Sequence, residues 1–127
     1  MEGAVVRAIL QGLALRYRFV IEQLEQMSGV QVSTIHIVGG GTQNTLLNQF
    51  TADATGKTVI TGPIEATATG NLITQAIDMG DINDWQEGAE VIRASFMIEE
   101  YQPGDQAPWN DAYKIFKANL EKVTMAF

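Results

Sequence analysis

Three consecutive glycines, Gly39-Gly40-Gly41, follow directly on a run that ends Ile37-Val38 and are followed by Thr42-Gln43-Asn44. A strand, a turn without side chains and then a helix start leaves main-chain N–H groups projecting, unpaired within the helix, where the positive end of the helix dipole favours an anion. Glycine lets a phosphate or a ribose come within hydrogen-bonding distance of the backbone. Asn44, expected on the first helical turn, adds a side-chain donor or acceptor. The same glycines also suit a tight turn that needs positive φ and binds nothing, so at this stage a ligand site and an empty turn both stay open.

Two more specific phosphate motifs are tested by their spacing. The dinucleotide fingerprint needs a further glycine at the sixth place counted from Gly39, where Asn44 stands, and no acidic residue closes a strand about 20 residues on. Gly56-Lys57-Thr58 imitates the end of a P-loop, yet the required glycine five positions before Gly56 is Thr51, and the segment leads from helix to strand rather than the reverse. His36 is the sole histidine. It sits in an apolar strand with no second histidine or carboxylate beside it, so it reads as a sheet residue and not as a metal ligand or half of a catalytic dyad. Asp53, Asp78, Asp81 and Asp84 read as solvated or capping carboxylates, and Trp85 and Trp109 as core anchors.

The elements that position the glycine turn follow from hydrophobic period. Val6, Leu10, Leu13, Tyr17, Val20, Leu24 and Met27 recur at steps of four and three, which predicts a long helix over about 4–27 that ends at Ser28-Gly29 with this stripe in the core. The strict seven-residue repeat also permits a coiled-coil seam. Residues 32–38 are β-branched and read as a strand, and a helix is expected from about Thr42 with Leu46, Leu47, Phe50 and Ala54 on its buried side. A second strand follows at Thr58 to Thr61. Strand, helix, strand is a crossover unit with its strands parallel. Further helices are expected from Glu65 to Gly80, from Trp85 to Ala94, and along the stripe Trp109, Tyr113, Phe116, Leu120 and Val123. Two strands and five helices make too narrow a sheet for a parallel α/β core, so either an oligomer completes it or these residues are one edge of a larger domain. A beginning in helix without an evident cap favours the larger domain.

Composition bounds the partners. The 127 residues carry a formal net charge of −7, with 18% charged and 46% hydrophobic side chains. One globular unit over 1–127 is the expectation. No long-range positive field exists to attract nucleic acid. The absence of cysteine rules out a disulfide framework and a thiolate metal site and is compatible with a reducing cytoplasm, the expected location. No apolar run approaches a membrane span.

The run Ile35-His36-Ile37-Val38-Gly39-Gly40-Gly41-Thr42-Gln43-Asn44-Thr45-Leu46-Leu47-Asn48-Gln49, then Thr51-Ala52-Asp53-Ala54-Thr55-Gly56 and Gly62-Pro63-Ile64-Glu65-Ala66-Thr67, closely resembles the carboxy-terminal part of the FGGY carbohydrate kinases. Gly12-Leu13-Ala14-Leu15-Arg16-Tyr17-Arg18 upstream fits as well, and the likeness covers residues 7 to about 113. The resemblance implies an α/β fold, the carboxy-terminal portion of a ribonuclease H-like domain of the actin-like ATPase type, with few parallel strands covered by about five helices. It further implies an enzyme of two such domains that binds a sugar, a deoxy-ketose such as L-rhamnulose, and ATP with Mg in the cleft between them. In that family the glycine turn is the adenosine motif, and the matching positions are Gly39, Gly40, Gly41 and Asn44, with Gln43 a weaker contributor. The catalytic aspartate, phosphate loops and sugar-binding residues have no counterpart here, so the chain alone is expected to lack kinase activity. The competing expectations are a non-catalytic scaffold or homo-oligomerisation module that pairs through the first helix, and a piece of a dinucleotide-binding oxidoreductase.

Overall fold

A computed structural model describes residues 1–126. The element order is α1 (Glu2–Ser28), β1 (Thr34–Ile37), a 3₁₀ turn (Gly39–Gln43), α2 (Thr45–Thr55), β2 (Thr58–Thr61), α3 (Ala66–Met79), α4 (Trp85–Ser95), β3 (Glu100–Tyr101) and α5 (Ala107–Ala126). The strands pair in the order β1-β2-β3. The 11-residue α2 lies between two neighbouring strands, the helical crossover that a parallel pair requires. The described residues divide into two compact units. One holds residues 1–35, 45–59 and 101–126; the other holds 36–44 and 60–100.

The first unit is a packing of α1, α2 and α5. Ala14, Leu15, Phe50, Ala54 and Tyr113 are buried together, with Leu10, Phe19, Trp109 and Phe116 packed against them. Ala14 is fully buried, and a residue that small lets the α2 backbone come close. Phe50 meets Trp109 in a tilted pair with ring centroids 5.3 Å apart, a geometry that the ring quadrupoles favour. Around this core runs a polar network. The Tyr113 hydroxyl donates to Glu22. The Arg18 guanidinium lies 4.1 Å from the centre of the Tyr113 ring and donates to Glu22 Oε1 at 3.0 Å and to Asn110 Oδ1 at 2.9 Å. Lys57 Nζ donates to Glu25 Oε1 and to the Val32 carbonyl, both at 2.6 Å. Asp53 accepts from Gln49 Nε2 and from the Gly104 N–H, each at 2.8 Å.

Burial corrects one expectation about α1. The helix forms as its period predicts and is capped by Gly29, yet Val6, Leu13, Tyr17, Val20, Leu24 and Met27 are exposed. The face that enters the core instead carries Ala14 and Leu15. Leu46 of α2 is exposed too, as is Trp85, at 58%, so the latter is no core anchor, whereas Trp109 packs on the core as expected.

In the second unit α3 packs on α4. Here close approach replaces bulk: a Cβ placed on Gly88 would stand 2.6 Å from Ile73 Cγ2, so glycine is what lets the two helices meet. The Asp84 carboxylate caps α4 by accepting from the Glu87 N–H at 2.9 Å, and Glu87 reaches back to the Asn83 N–H at 2.8 Å. Asp84 is thus a capping carboxylate, as its position suggested.

Candidate functional site

The β-branched Thr34–Ile37 strand ends where side chains stop. Val38 is extended, with φ −127 and ψ 162, and Gly39 then takes φ 79, a left-handed conformation that L side chains adopt only with strain. The chain coils through Gly39–Gln43 as one 3₁₀ turn and leaves it at Asn44, whose φ is −86 and ψ 84. Asn44 therefore stands between the turn and α2, which begins at Thr45. It is not on the first turn of the helix as the sequence suggested, because three glycines and Thr42 tighten into a 3₁₀ turn of their own.

The turn is braced by its own unit. The Gly39 N–H donates to the Pro63 carbonyl at 3.0 Å, and the Gly62 N–H donates to the Ile37 carbonyl at 2.7 Å. Thr42 Oγ1 donates to the Gly39 carbonyl at 2.8 Å, and the Asn44 N–H to the Gly41 carbonyl at 3.3 Å. A Cβ on Gly62 would lie 2.8 Å from Val38 Cγ1, so glycine is required there for the chain after β2 to press against the start of the turn. Gly62 and Pro63 belong to the site's framework, and the isolated reading of the glycine run did not single them out. Their signal was present in the Gly-Pro pair that directly follows β2.

What the brace leaves uncovered is the outer surface of the turn. Gly40 and Gly41 are exposed, as are Gln43 and Asn44. A Cβ added at Gly40 would meet nothing within 4 Å, and one at Gly41 would meet only Ile37 Cγ2 at 3.7 Å. A flat group can thus come to the main chain without displacing a side chain. In the same unit a cleft of about 510 Å³ is lined by His36, Val38, Pro63, Ile92, Arg93 and Glu100, a volume within the range of small-molecule sites. His36 is exposed at its wall. Among the described residues no group of three His, Asp or Glu side chains is placed to hold a metal ion, and no helix is long and apolar enough to cross a membrane.

Comparison with known proteins bears on these features. The family model described as the FGGY family of carbohydrate kinases, C-terminal domain, matches residues 2–79. The rhamnulokinase of Bacteroides thetaiotaomicron is 46% identical over 115 residues, which are 91% of this chain and 24% of that protein. The rhamnulokinase of Bacillus subtilis is 44% identical over 103 residues, covering 81% of this chain and 21% of its own. The chain thus spans about a quarter of the length of the curated relatives it matches. The crystal structure of xylulose kinase from Rhodospirillum rubrum superposes with a TM-score of 0.77 at 21% identity, over 98% of this chain and 25% of that one, which shows a shared α/β fold. The glycine turn, α1, α2, β1, β2 and all of α3 lie inside the matched 2–79 segment, and the chain belongs to the FGGY family of carbohydrate kinases, as part of its carboxy-terminal domain.

Proposed function

We propose that this chain is the nucleotide-facing segment of an ATP-dependent carbohydrate kinase that phosphorylates a sugar, L-rhamnulose, and that it forms a fragment of the second of that enzyme's two domains. The observation that carries the reading is the side-chain-free outer surface at Gly40, held in place from behind by the Gly39 to Pro63 and Gly62 to Ile37 hydrogen bonds. Backbone held this way is preorganised: donors are positioned before the ligand arrives, so no ordering cost falls on binding. Gly39, Gly40, Gly41 and Asn44 meet the ribose and phosphates, with Gln43 at the margin. The rhamnulokinase names of the relatives support the choice of sugar.

Mg accompanies the triphosphate and is bound by groups outside this segment. Phosphoryl transfer requires a hydroxyl nucleophile, metal and phosphates aligned together, and one wall cannot align them. The 127-residue chain alone accordingly lacks kinase activity, and in the cytoplasm it acts only as part of a longer enzyme.

The test is Gly40→Val in a full-length kinase carrying this segment. A Cβ at Gly40 meets nothing within 4 Å, so the protein keeps its fold, and the KM for ATP rises at least tenfold while the KM for the sugar is unchanged. An unaltered ATP dependence refutes the role of the turn.

A further inference from the structure

Three glycines at the turn differ in what requires them. Gly39 takes φ 79, which a side chain would strain. Gly40 has no positive φ and open space where a Cβ would stand, so neither conformation nor packing asks for glycine there. Gly62 has no positive φ either, yet a Cβ on it would stand 2.8 Å from Val38 Cγ1, against the roughly 3.5–4.0 Å at which carbon atoms rest. Space alone requires glycine at 62, and one methyl takes that space.

The methyl sits where the two segments are tied together. The Gly62 N–H donates to the Ile37 carbonyl at 2.7 Å and the Gly39 N–H donates to the Pro63 carbonyl at 3.0 Å, so one hydrogen bond falls on each side of Val38. β1 and β2 end at Ile37 and Thr61, and these two bonds carry their pairing on into the turn. Val38 is 55% exposed, so no core holds it; the two bonds and the notch left by Gly62 do. Its side chain is branched at Cβ and has few rotamers into which to retreat. Filling the notch therefore moves the main chain at Val38, and with it the first glycine of the turn.

We propose that Val38 and Gly62 are a pair of positioning residues for the kinase reaction: the Val38 methyl in the Gly62 notch sets where the glycine turn stands and, through the turn, the affinity for ATP. The inference rests on the nucleotide reading above. Both residues act through the turn and not by contact with the nucleotide. A shift of about 0.5 Å takes a main-chain donor out of hydrogen-bond range, so a methyl added behind the turn weakens binding without entering the site.

The experiment is a double-mutant cycle in a full-length kinase carrying this segment. Gly62→Ala raises the KM for ATP about fivefold or more and leaves kcat and the KM for the sugar within about twofold. Val38→Ala added to it removes Cγ1 and returns the KM for ATP to within about twofold of the starting enzyme. An enzyme that is merely destabilised loses active molecules, which lowers kcat and leaves the KM for ATP alone. That pattern, or a Gly62→Ala effect that Val38→Ala does not relieve, overturns the inference. Hydrogen exchange without nucleotide reads the brace itself: the Gly39 N–H exchanges faster in Gly62→Ala and is protected again in the pair. If Val38 simply turns aside, neither exchange nor KM changes, and the inference falls. Should Gly62→Ala fail to fold, Val38→Ala alone, which empties the notch, speeds exchange at Gly39 and raises the KM for ATP about twofold; no change in either overturns the inference. Gly40→Val in the same enzyme separates the two readings. A raised KM there with none in Gly62→Ala refutes the positioning role and leaves the nucleotide reading standing. An unmoved KM in both, with exchange at Gly39 responding as described, refutes the nucleotide role of the turn and the positioning role with it.

Discussion

In the unit built from α1, α2 and α5, side chains hold the structure: a buried aromatic cluster around Phe50 and Tyr113, with ion pairs and charge-assisted hydrogen bonds at its border. In the unit that carries the glycine turn, Ile73 is the one buried large hydrophobic side chain among the described residues, and cohesion comes from main-chain hydrogen bonds and from glycines that let backbones touch. The difference has a physical reason. On the proposed reading, a surface approached by a ligand at backbone distance cannot be screened by side chains, so its rigidity comes from the main chain behind it. Regions poor in buried apolar contacts also open at lower free energy than the core.

This contrast can be broken most forcefully at Phe50. Phe50→Ala removes a buried ring that packs on Trp109 and lies under Arg7, whose guanidinium is 5.5 Å from the ring centre. It should cost about 3–5 kcal/mol, read as a fall in the urea midpoint and loss of the Trp109 fluorescence environment. If the cost were no larger than that of a surface substitution, the side-chain account of this unit would be wrong.

Gly88→Ala tests the backbone account of the other unit. A methyl 2.6 Å from Ile73 Cγ2 cannot be relieved by swinging a flexible tip, because that atom branches at Cβ. The expected loss is about 1–3 kcal/mol, against the slight gain that glycine to alanine ordinarily gives inside a helix. Pairing it with Ile73→Ala, which removes Cγ2, should give a combined loss smaller than the sum of the two single losses.

A smaller effect separates neighbours within the turn. Gly39→Ala places a side chain at φ 79 and should cost about 1 kcal/mol. Gly40→Ala meets open space and should shift stability by less than about 0.5 kcal/mol. Equal costs at the two positions, measured by denaturant melts, would show that the turn relaxes freely and is not braced through Pro63.

The least effect belongs to pH. The hydrogen bond from Lys57, helped by the Val32 N–H, holds the Glu25 carboxyl below the usual carboxylate range. A depressed folded pKa contributes stability that is present above the ordinary value and is lost as pH falls through the depressed one. Thermal melts taken downward from neutral pH should decline on that acid limb, and Lys57→Met should flatten it. Tyr113 behaves oppositely. Burial, then its bond to Glu22, pushes its hydroxyl well above the usual phenol range, so its contribution is fully present below the ordinary tyrosine value and is lost as pH rises from there through the raised one.

Much of this molecule follows from local chemistry in the chain. The period of α1, the β-branched runs at β1 and β2, the capping Asp84 and the glycine turn are properties of neighbouring residues, and they formed where the residue pattern placed them. The resemblance carried by residues 35–67 likewise needed only order and spacing. Tertiary packing decided the rest. Period states which residues share a helix face but not which face finds a partner, so Leu13 and Tyr17 stayed open while Ala14 and Leu15 entered the core. The place of Asn44 depended on the glycines closing a 3₁₀ turn before α2 could start, and the parts of Gly62 and Pro63 depended on a contact between segments more than 20 residues apart. Such contacts reflect distance in space, which residue order along the chain does not encode by itself.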